Sequence, residues 1–394
     1  MPRPPRAGFP PPTLVTGTAA LQALCTRLAA EEFVTVDTEF MRERTYWPEL
    51  CVVQLAGENE VAVIDAQSPD LDLAPLAELL ANRAVLKVFH AARQDIEICV
   101  LRFGEVPRPL FDTQIAAMVA GFGEQAGYDS LVAALAGGTI DKAHRFSDWS
   151  ARPLSASQIE YAAADVTYLR TVYTRLCARL RQDNRLDWVA EEMAELADPA
   201  LYRTDPETMW QRLRPRSNNR RFLSMVRALA AWREREAQRV NIPRQRLLRD
   251  ETLMEIAATA PTDPEALARG RGISRGFAEG RTGASLLAAV AEAKTLPEDA
   301  LPEAPRSREG VRPSPALVSL LKVLLAAKCE DHHVAARLVA SSDDIDRLAT
   351  EDAPGIPALH GWRREVFGED ALALKHGRVA LGVHGRRIRL IPAG

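Results

Sequence analysis

The stretch that most constrains this chain is Phe33-Val34-Thr35-Val36-Asp37-Thr38-Glu39-Phe40, an apolar, strand-forming run that ends in two acidic side chains one residue apart. A strand has a side-chain period of two, so Asp37 and Glu39 project from the same face where the strand leaves its sheet. At an effective dielectric near 20, two carboxylates about 5 Å apart repel by roughly 3 kcal/mol, which suggests that a cation belongs beside them. An acidic-x-acidic triplet taken alone is also what a solvated strand end looks like, so the distant residues of the chain decide between the two.

At 394 residues the chain exceeds one ordinary core and should divide into two or three domains. With 47% hydrophobic and 26% charged residues it is globular rather than disordered. No apolar run approaches the roughly 20 residues that cross a bilayer, so no membrane association is expected. Residues 1–12 are proline-rich with two arginines and lack the apolar segment of a secretory signal, which predicts a flexible extended tail. Cys25, Cys51, Cys99, Cys177 and Cys329 are scattered and never form a C-x-x-C pair, as expected of small core hydrophobes in a reducing cytoplasm. The net charge of −3 argues against a nucleic-acid-coated protein, yet Arg203 to Arg249 holds 13 arginines, no lysine and four acids. That local excess makes either a phosphate-binding face or a solvated helix face.

The apolar spacing of residues 14–28 predicts a short helix leading into the opening strand. Residues 50–55 and 61–65 read as two more strands, giving an antiparallel meander. A helix around 73–81, a fourth strand over 85–90 and a helix over 91–103 follow, and this alternation implies an α/β mixed sheet with flanking helices. Asp95 lies near the start of that last helix, overlooking the end of the sheet or complementing the helix dipole. Asp112 precedes the periodic run Ile115, Met118 and Val119 and reads as a helix cap rather than a fifth site carboxylate. Residues 121–148 are Gly-rich and polar, with one short helix around 131–135.

A long helix begins near Ser155, because Ser157 with Glu160, or Ser155 with Gln158, has the form of a capping box. Ile159, Ala162, Val166, Leu169, Tyr173, Leu176 and Leu180 make its inward stripe. Tyr161 and Asp165 are four residues apart on the border of that stripe and point the same way from adjacent turns. Ala162, Ala163 and Ala164 permit close approach of another element or of a substrate.

Asp37, Glu39, Asp95, Asp165 and Tyr161 fit one scheme. Hard divalent cations take oxygen ligands, and phosphodiester hydrolysis is served by two of them about 3.5 to 4 Å apart, one acidifying the attacking water and one stabilising the leaving 3′ oxygen. A tyrosine hydroxyl would orient that water, and would serve as base only if metals drew its pKa well below about 10. In this order, Asp37-Thr-Glu39, His90-x-x-x-x-Asp95 and Tyr161-x-x-x-Asp165 resemble the three exonuclease motifs of the DEDD superfamily in its tyrosine-containing branch, most closely as the bacterial ribonuclease D family carries them. Residues 37–48 and 148–154, and Leu110-Phe-Asp-Thr113, support the resemblance. It implies a ribonuclease-H-like exonuclease core in which Asp37, Glu39, Asp95 and Asp165 hold two Mg2+ or Mn2+ ions and Tyr161 positions the water. Asp37 would bridge both metals, and Glu39 would serve one metal and the water. The implied activity is 3′-to-5′ exoribonuclease trimming of structured RNA such as tRNA precursors, releasing nucleoside 5′-monophosphates. Gln54 and His90 lie beside the site in such a fold and become substrate-side candidates.

Residues 208–294 are similar to the helical HRDC domain of ribonuclease D and RecQ-type helicases. The Arg-rich flank makes Arg220, Arg221 and Arg233 candidate RNA contacts, unless the module only shapes the active-site entrance. The expected layout is a tail at 1–12, an exonuclease domain at 13–202, the HRDC domain at 208–294, a linker at 295–315 and a second HRDC-like helical domain at 316–394 that ends in a hairpin-like pair around His384-Gly385. Cys329, His332 and His333 lack a second cysteine pair and are not expected to hold zinc. A DNA exonuclease of the same superfamily would use the same carboxylates, but the HRDC-like half and the absence of a polymerase or helicase region disfavour it. A noncatalytic RNA-binding module is disfavoured by the intact acidic set. A cytoplasmic enzyme without an obligate protein partner is the expectation.

Overall fold

The computed structural model describes residues 10–215, 217–303, 313–352 and 354–393. Most of the expected tail and the middle of the expected linker lie outside them. The chain divides into two compact units: residues 1–40, 50–202 and 310–394 make the first, and residues 41–49 and 203–309 the second.

The first unit is built on six strands: β1 (Thr13–Val15), β2 (Phe33–Met41), β3 (Glu49–Ala56), β4 (Val61–Asp65), β5 (Leu86–Phe89) and β6 (Leu110–Asp112), in the order β1-β4-β3-β2-β5-β6. β3 and β4 are antiparallel, whereas β1 with β4, β2 with β5, and β5 with β6 are parallel. The sheet is therefore mixed, as the strand and helix alternation implied. The run over residues 14–28 differs from its reading as a single helix: β1 comes first, and α1 (Thr18–Leu28) only after it. Three residues are too few to show a period of two, and their pairing depends on the distant edge of β4.

Val34, Val36, Val53, Leu55, Ala62 and Ile64 enter one core with Leu21, Leu24 and Leu28 of α1 and with Leu76 and Leu79 of α2 (Ala74–Ala81). The alternate residues of β2 face the long helix α6 (Ala156–Gln182), where the Thr35 hydroxyl donates to the Val166 carbonyl at 2.8 Å. Of the two capping boxes the sequence offers, the structure uses Ser155 with Gln158. The 27 residues of α6 extend about 40 Å, so one helix carries Tyr161 and Asp165 at one end and deep packing residues such as Leu176 and Leu180 at the other.

Asp112 is a cap, and for two helices at once. Its carboxylate accepts from Gln114 N at 2.7 Å at the start of α4 (Thr113–Val119), and from Ala91 N at 3.0 Å and Ala92 N at 2.8 Å just before α3 (Arg93–Phe103). It thereby sets the entry of the helix that bears Asp95.

The C-terminal helices group with the first compact unit. They have a core of their own around Leu321, Leu324, Ile345, Leu348 and Phe367. They also dock on α7 (Leu186–Leu196), where Trp188 stacks on Trp362 with ring centroids 4.6 Å apart. The buried Glu192 carboxylate accepts from Trp362 Nε1 at 3.0 Å and from Arg363 at 2.7 Å.

The second unit packs α8 (Arg220–Val240) with helices Asp250–Thr259 and Arg281–Thr295 around Val226, Leu229, Leu253, Ile256, Leu286 and Val290. Residues 41–49, which the sequence layout places inside the exonuclease domain, join this unit. Asn241 explains the attachment: in a left-handed conformation at the end of α8, its side-chain oxygen accepts from the backbone N–H groups of Tyr46 at 3.1 Å and Trp47 at 3.0 Å. The Tyr46 hydroxyl adds a donation to Glu234. Among the described residues no helix is long and apolar enough to cross a membrane.

Replacing Asp112 by Ala removes three backbone acceptor contacts at once. The variant should lose about 2–3 kcal/mol of stability in urea unfolding, with Asp112→Asn losing less because one acceptor oxygen remains.

Candidate active site

β2 delivers Asp37 and Glu39 toward α6, and α6 delivers Asp165. One carboxylate oxygen from each of the three lies within 4.8 Å of the others. Asp95, buried in the first turn of α3, stands beside this group and accepts from the Thr38 hydroxyl. Burial and the charges of Asp95, Asp165 and Glu39 hold the Asp37 carboxyl well above the usual range. Burial, with Asp165 and Asp95, pushes Glu39 to about 9, and burial is the first cause that raises Asp95 and Asp165 to about 7. Among the described residues no lysine or arginine pairs with any of the four. Such a set suits a hard divalent cation, since it offers oxygen donors, is short of positive charge and is partly withdrawn from water.

Tyr161 borders the acids from the next turn of α6. Burial first, then Asp165, Glu39 and Asp37, raise its phenol above the ordinary value, so it is protonated at neutral pH. Its ring lies between His144 and Trp149, with centroids 6.0 Å from each. Trp149 is buried, and its indole N–H has no hydrogen-bond partner among the described residues.

Gln54 is fully buried on β3, and neither end of its carboxamide has a partner among the described residues. Val53 and Leu55 on either side of it enter the core with Val34 and Val36, so strand alternation puts Gln54 on the face of Asp37 and Glu39. His90 Nδ1 is 3.0 Å from Thr113 Oγ1, and that hydroxyl donates to the Phe89 carbonyl at 3.0 Å. The contact is therefore a donation from His90 Nδ1–H, which leaves Nε2 as the acceptor. Burial lowers the imidazole pKa and keeps the ring neutral.

The candidate arginines of the second unit have other work. Arg233 is buried and donates to the Leu248 carbonyl at 2.8 Å and to Asp250 at 2.7 Å, which corrects its reading as an RNA contact. Arg220 donates to the Glu298, Leu301 and Pro302 carbonyls, and Arg221 to Glu298 and the Leu296 carbonyl, so both fasten the chain that follows helix Arg281–Thr295. A count of arginines in sequence does not reveal which acids and carbonyls the fold brings to them.

Three contributors escape sequence reading. Thr38 sits between the two acids, and its hydroxyl had an obvious acceptor only once α3 was placed. Trp149 lies in the supporting segment 148–154 but shows its contact with Tyr161 only in the fold. Tyr128, from the polar stretch, donates to the Ala164 carbonyl at 3.1 Å and rests against His90.

The raised carboxyls carry a signed stability effect. Folded-state pKa values above the unfolded ones, which lie near 4, give a contribution that is fully present below about pH 4 and is lost as pH rises through 7 toward 9. In EDTA, urea unfolding should show the protein less stable at pH 9 than at pH 6 by about 1 kcal/mol or more. Saturating Mg2+, at about 100 times its dissociation constant, should add roughly 2.7 kcal/mol. Stability indifferent to both pH and Mg2+ would count against the cluster.

Comparison with known proteins agrees with this geometry. Residues 12–181 match the family model described as a 3′-5′ exonuclease, and residues 222–290 match that of the HRDC domain. A ribonuclease D of Granulibacter bethesdensis is 68% identical over 395 residues, covering 100% of both chains. One of Nitrobacter hamburgensis is 49% identical across 96% of this chain and 99% of its own. Among solved structures, Escherichia coli RNase D, an exoribonuclease involved in structured RNA processing, superposes with a TM-score of 0.80 at 31% identity, over 93% of this chain and 99% of its own. With an acidic cluster drawn from β2, α3 and α6, a 3′-5′ exonuclease domain and an HRDC domain in one polypeptide, this chain belongs to the ribonuclease D family.

Proposed function

We propose that the protein is a 3′-to-5′ exoribonuclease that trims the 3′ ends of structured RNA such as tRNA precursors, with Mg2+ or Mn2+ held by Asp37, Glu39, Asp95 and Asp165. The observation that carries this reading is the convergence of Asp37, Glu39 and Asp165 within 4.8 Å with no paired side-chain cation among the described residues. Divalent ions bound there would acidify water and stabilise the leaving oxygen. The five cysteines are all free, which fits a reducing cytoplasm as the setting.

The chain's own groups do the rest. Asp37, in the middle of β2, is the acid whose carboxyl the charges of all three others raise, which supports it as the residue that holds the cluster together. Tyr161, with its phenol protonated, acts as a hydrogen-bonding group that orients water rather than as a base. His90 offers a neutral Nε2 acceptor, and Gln54 a carboxamide free of internal partners, both suited to the substrate side. In the hydrolysis, a water oxygen bonds to phosphorus as the bond to the 3′ oxygen breaks. The 3′ oxygen leaves with a proton, and a nucleoside 5′-monophosphate departs.

The test is product analysis on a tRNA bearing a 3′ trailer. Single nucleoside 5′-monophosphates should appear with Mg2+ and vanish in EDTA. Asp37→Asn should lower kcat by about 10³-fold or more, and Tyr161→Phe by about 10²-fold with little change in KM. A matched DNA strand degraded faster than the RNA would reverse the substrate assignment, and Asp37→Asn acting at the wild-type rate would remove the acidic cluster from the chemistry.

A further inference from the structure

The C-terminal hairpin is the feature that the exonuclease chemistry does not use. Its strands, β7 (Val379–His384) and β8 (Arg387–Pro392), pair antiparallel with His384 opposite Arg387, Gly382 opposite Arg389 and Ala380 opposite Ile391. Gly385, at φ 63°, supplies the left-handed residue of the tight connection. Strand alternation sorts the ribbon into two faces. Leu381 and Leu390 lie opposite one another and pack on the C-terminal core, as does Val379. Arg387 and Arg389 stand on the other face, across from His384 and the small Gly382.

The charge on this ribbon is unbalanced. Residues 375–394 contain Lys375, Arg378, Arg386, Arg387 and Arg389, two histidines and no acid. Arg378, Arg386, Arg387 and Arg389 are exposed, and among the described residues none of their guanidiniums has an ion pair or hydrogen bond. The denser arginine segment of the second unit is partly spent: Arg221, Arg227, Arg233, Arg235, Arg239 and Arg244 each face an acid, while Arg212, Arg214, Arg246 and Arg249 are exposed with no ion pair among the described residues. Free guanidiniums on a firmly seated, low-relief ribbon are placed for a polyanion, because each phosphate they neutralise releases condensed counterions.

We propose that this ribbon is a phosphate-contact surface for the RNA body upstream of the 3′ end being trimmed, with Arg386, Arg387 and Arg389 as its contacts. The proposal rests on the exoribonuclease reading, and the ribbon belongs to the same compact unit as the acidic cluster. An anionic membrane surface is the competing polyanion, with Val383, 76% exposed, near the tip. RNA is favoured because the two exposed large apolar side chains, Val383 and Ile391, lie on opposite faces of the ribbon, so the arginine face presents Ile391 alone rather than an apolar patch to insert.

The experiment uses the full chain with all three arginines changed to Gln, and a second variant with all three changed to Lys. Binding to a fluorescent tRNA with a 3′ trailer is measured by anisotropy in EDTA between 50 and 200 mM salt. Hydrolysis of a dinucleotide, which has no upstream RNA body, is measured with Mg2+. The Gln variant should bind the tRNA about tenfold more weakly, with the slope of log affinity against log salt reduced by about 2–3. Its dinucleotide hydrolysis and melting temperature should match the wild type, and the Lys variant should recover most of the binding. If the triple change lowers the melting temperature, single Gln substitutions, each expected to weaken binding about two- to threefold, carry the same test. Unchanged affinity and slope in a folded variant would overturn the ribbon alone, and a wild-type chain that binds no structured RNA would overturn it together with the exoribonuclease reading. Loss of binding to phosphatidylserine vesicles with RNA affinity intact would assign the ribbon to membranes and overturn the RNA proposal.

Discussion

The structure depends on four carboxylates held together without a compensating side-chain cation. Asp37, Glu39 and Asp165 converge within 4.8 Å, with Asp95 beside them, and burial together with their mutual charge raises their pKa values. A fold selected for stability alone would place an arginine there. The cost leaves a pocket of negative potential suited to a divalent cation, with a tyrosine at its border. Several other elements then exist to hold those acids in place. Asp112 sets the starts of α3 and α4 together, Thr35 ties β2 to α6, and the Ser155 and Gln158 box fixes where α6 begins.

The chain does not fold as beads in sequence order. The nine residues from the last of β2 to the first of β3 belong with the helical second unit, and the last 85 residues belong with the exonuclease core. In both cases polar contacts between residues distant in sequence hold the segment to its partner. Asn241 satisfies two backbone N–H groups of residues 46 and 47, and Glu192 on α7 satisfies Trp362 and Arg363. Leaving the buried Glu192 unpaired would cost about 1–3 kcal/mol or more, which is enough to decide where a segment docks.

Positive charge follows a division of labour that residue counts obscure. In the second unit arginine mainly builds structure, closing on acids and carbonyls within its own unit. On the C-terminal ribbon a smaller number of arginines stays free. The availability of a guanidinium, rather than its abundance, distinguishes a surface that can meet phosphate from one that cannot.

The sequence by itself determined the mixed α/β core, the cap at Asp112, the long helix from Ser155 and the set of acids with Tyr161, because these follow from strand and helix periods and from short-range spacing. It could not determine the pairing of β1 at the sheet edge, the docking of residues 41–49, or which arginines are spent internally. Those depend on partners tens to hundreds of residues away, such as Asn241 for Tyr46 and Asp250 for Arg233. Local sequence specifies what a side chain can offer. Only the tertiary structure decided what was left for it to bind, because burial and charge pairing are settled by residues that meet in space after the chain has folded.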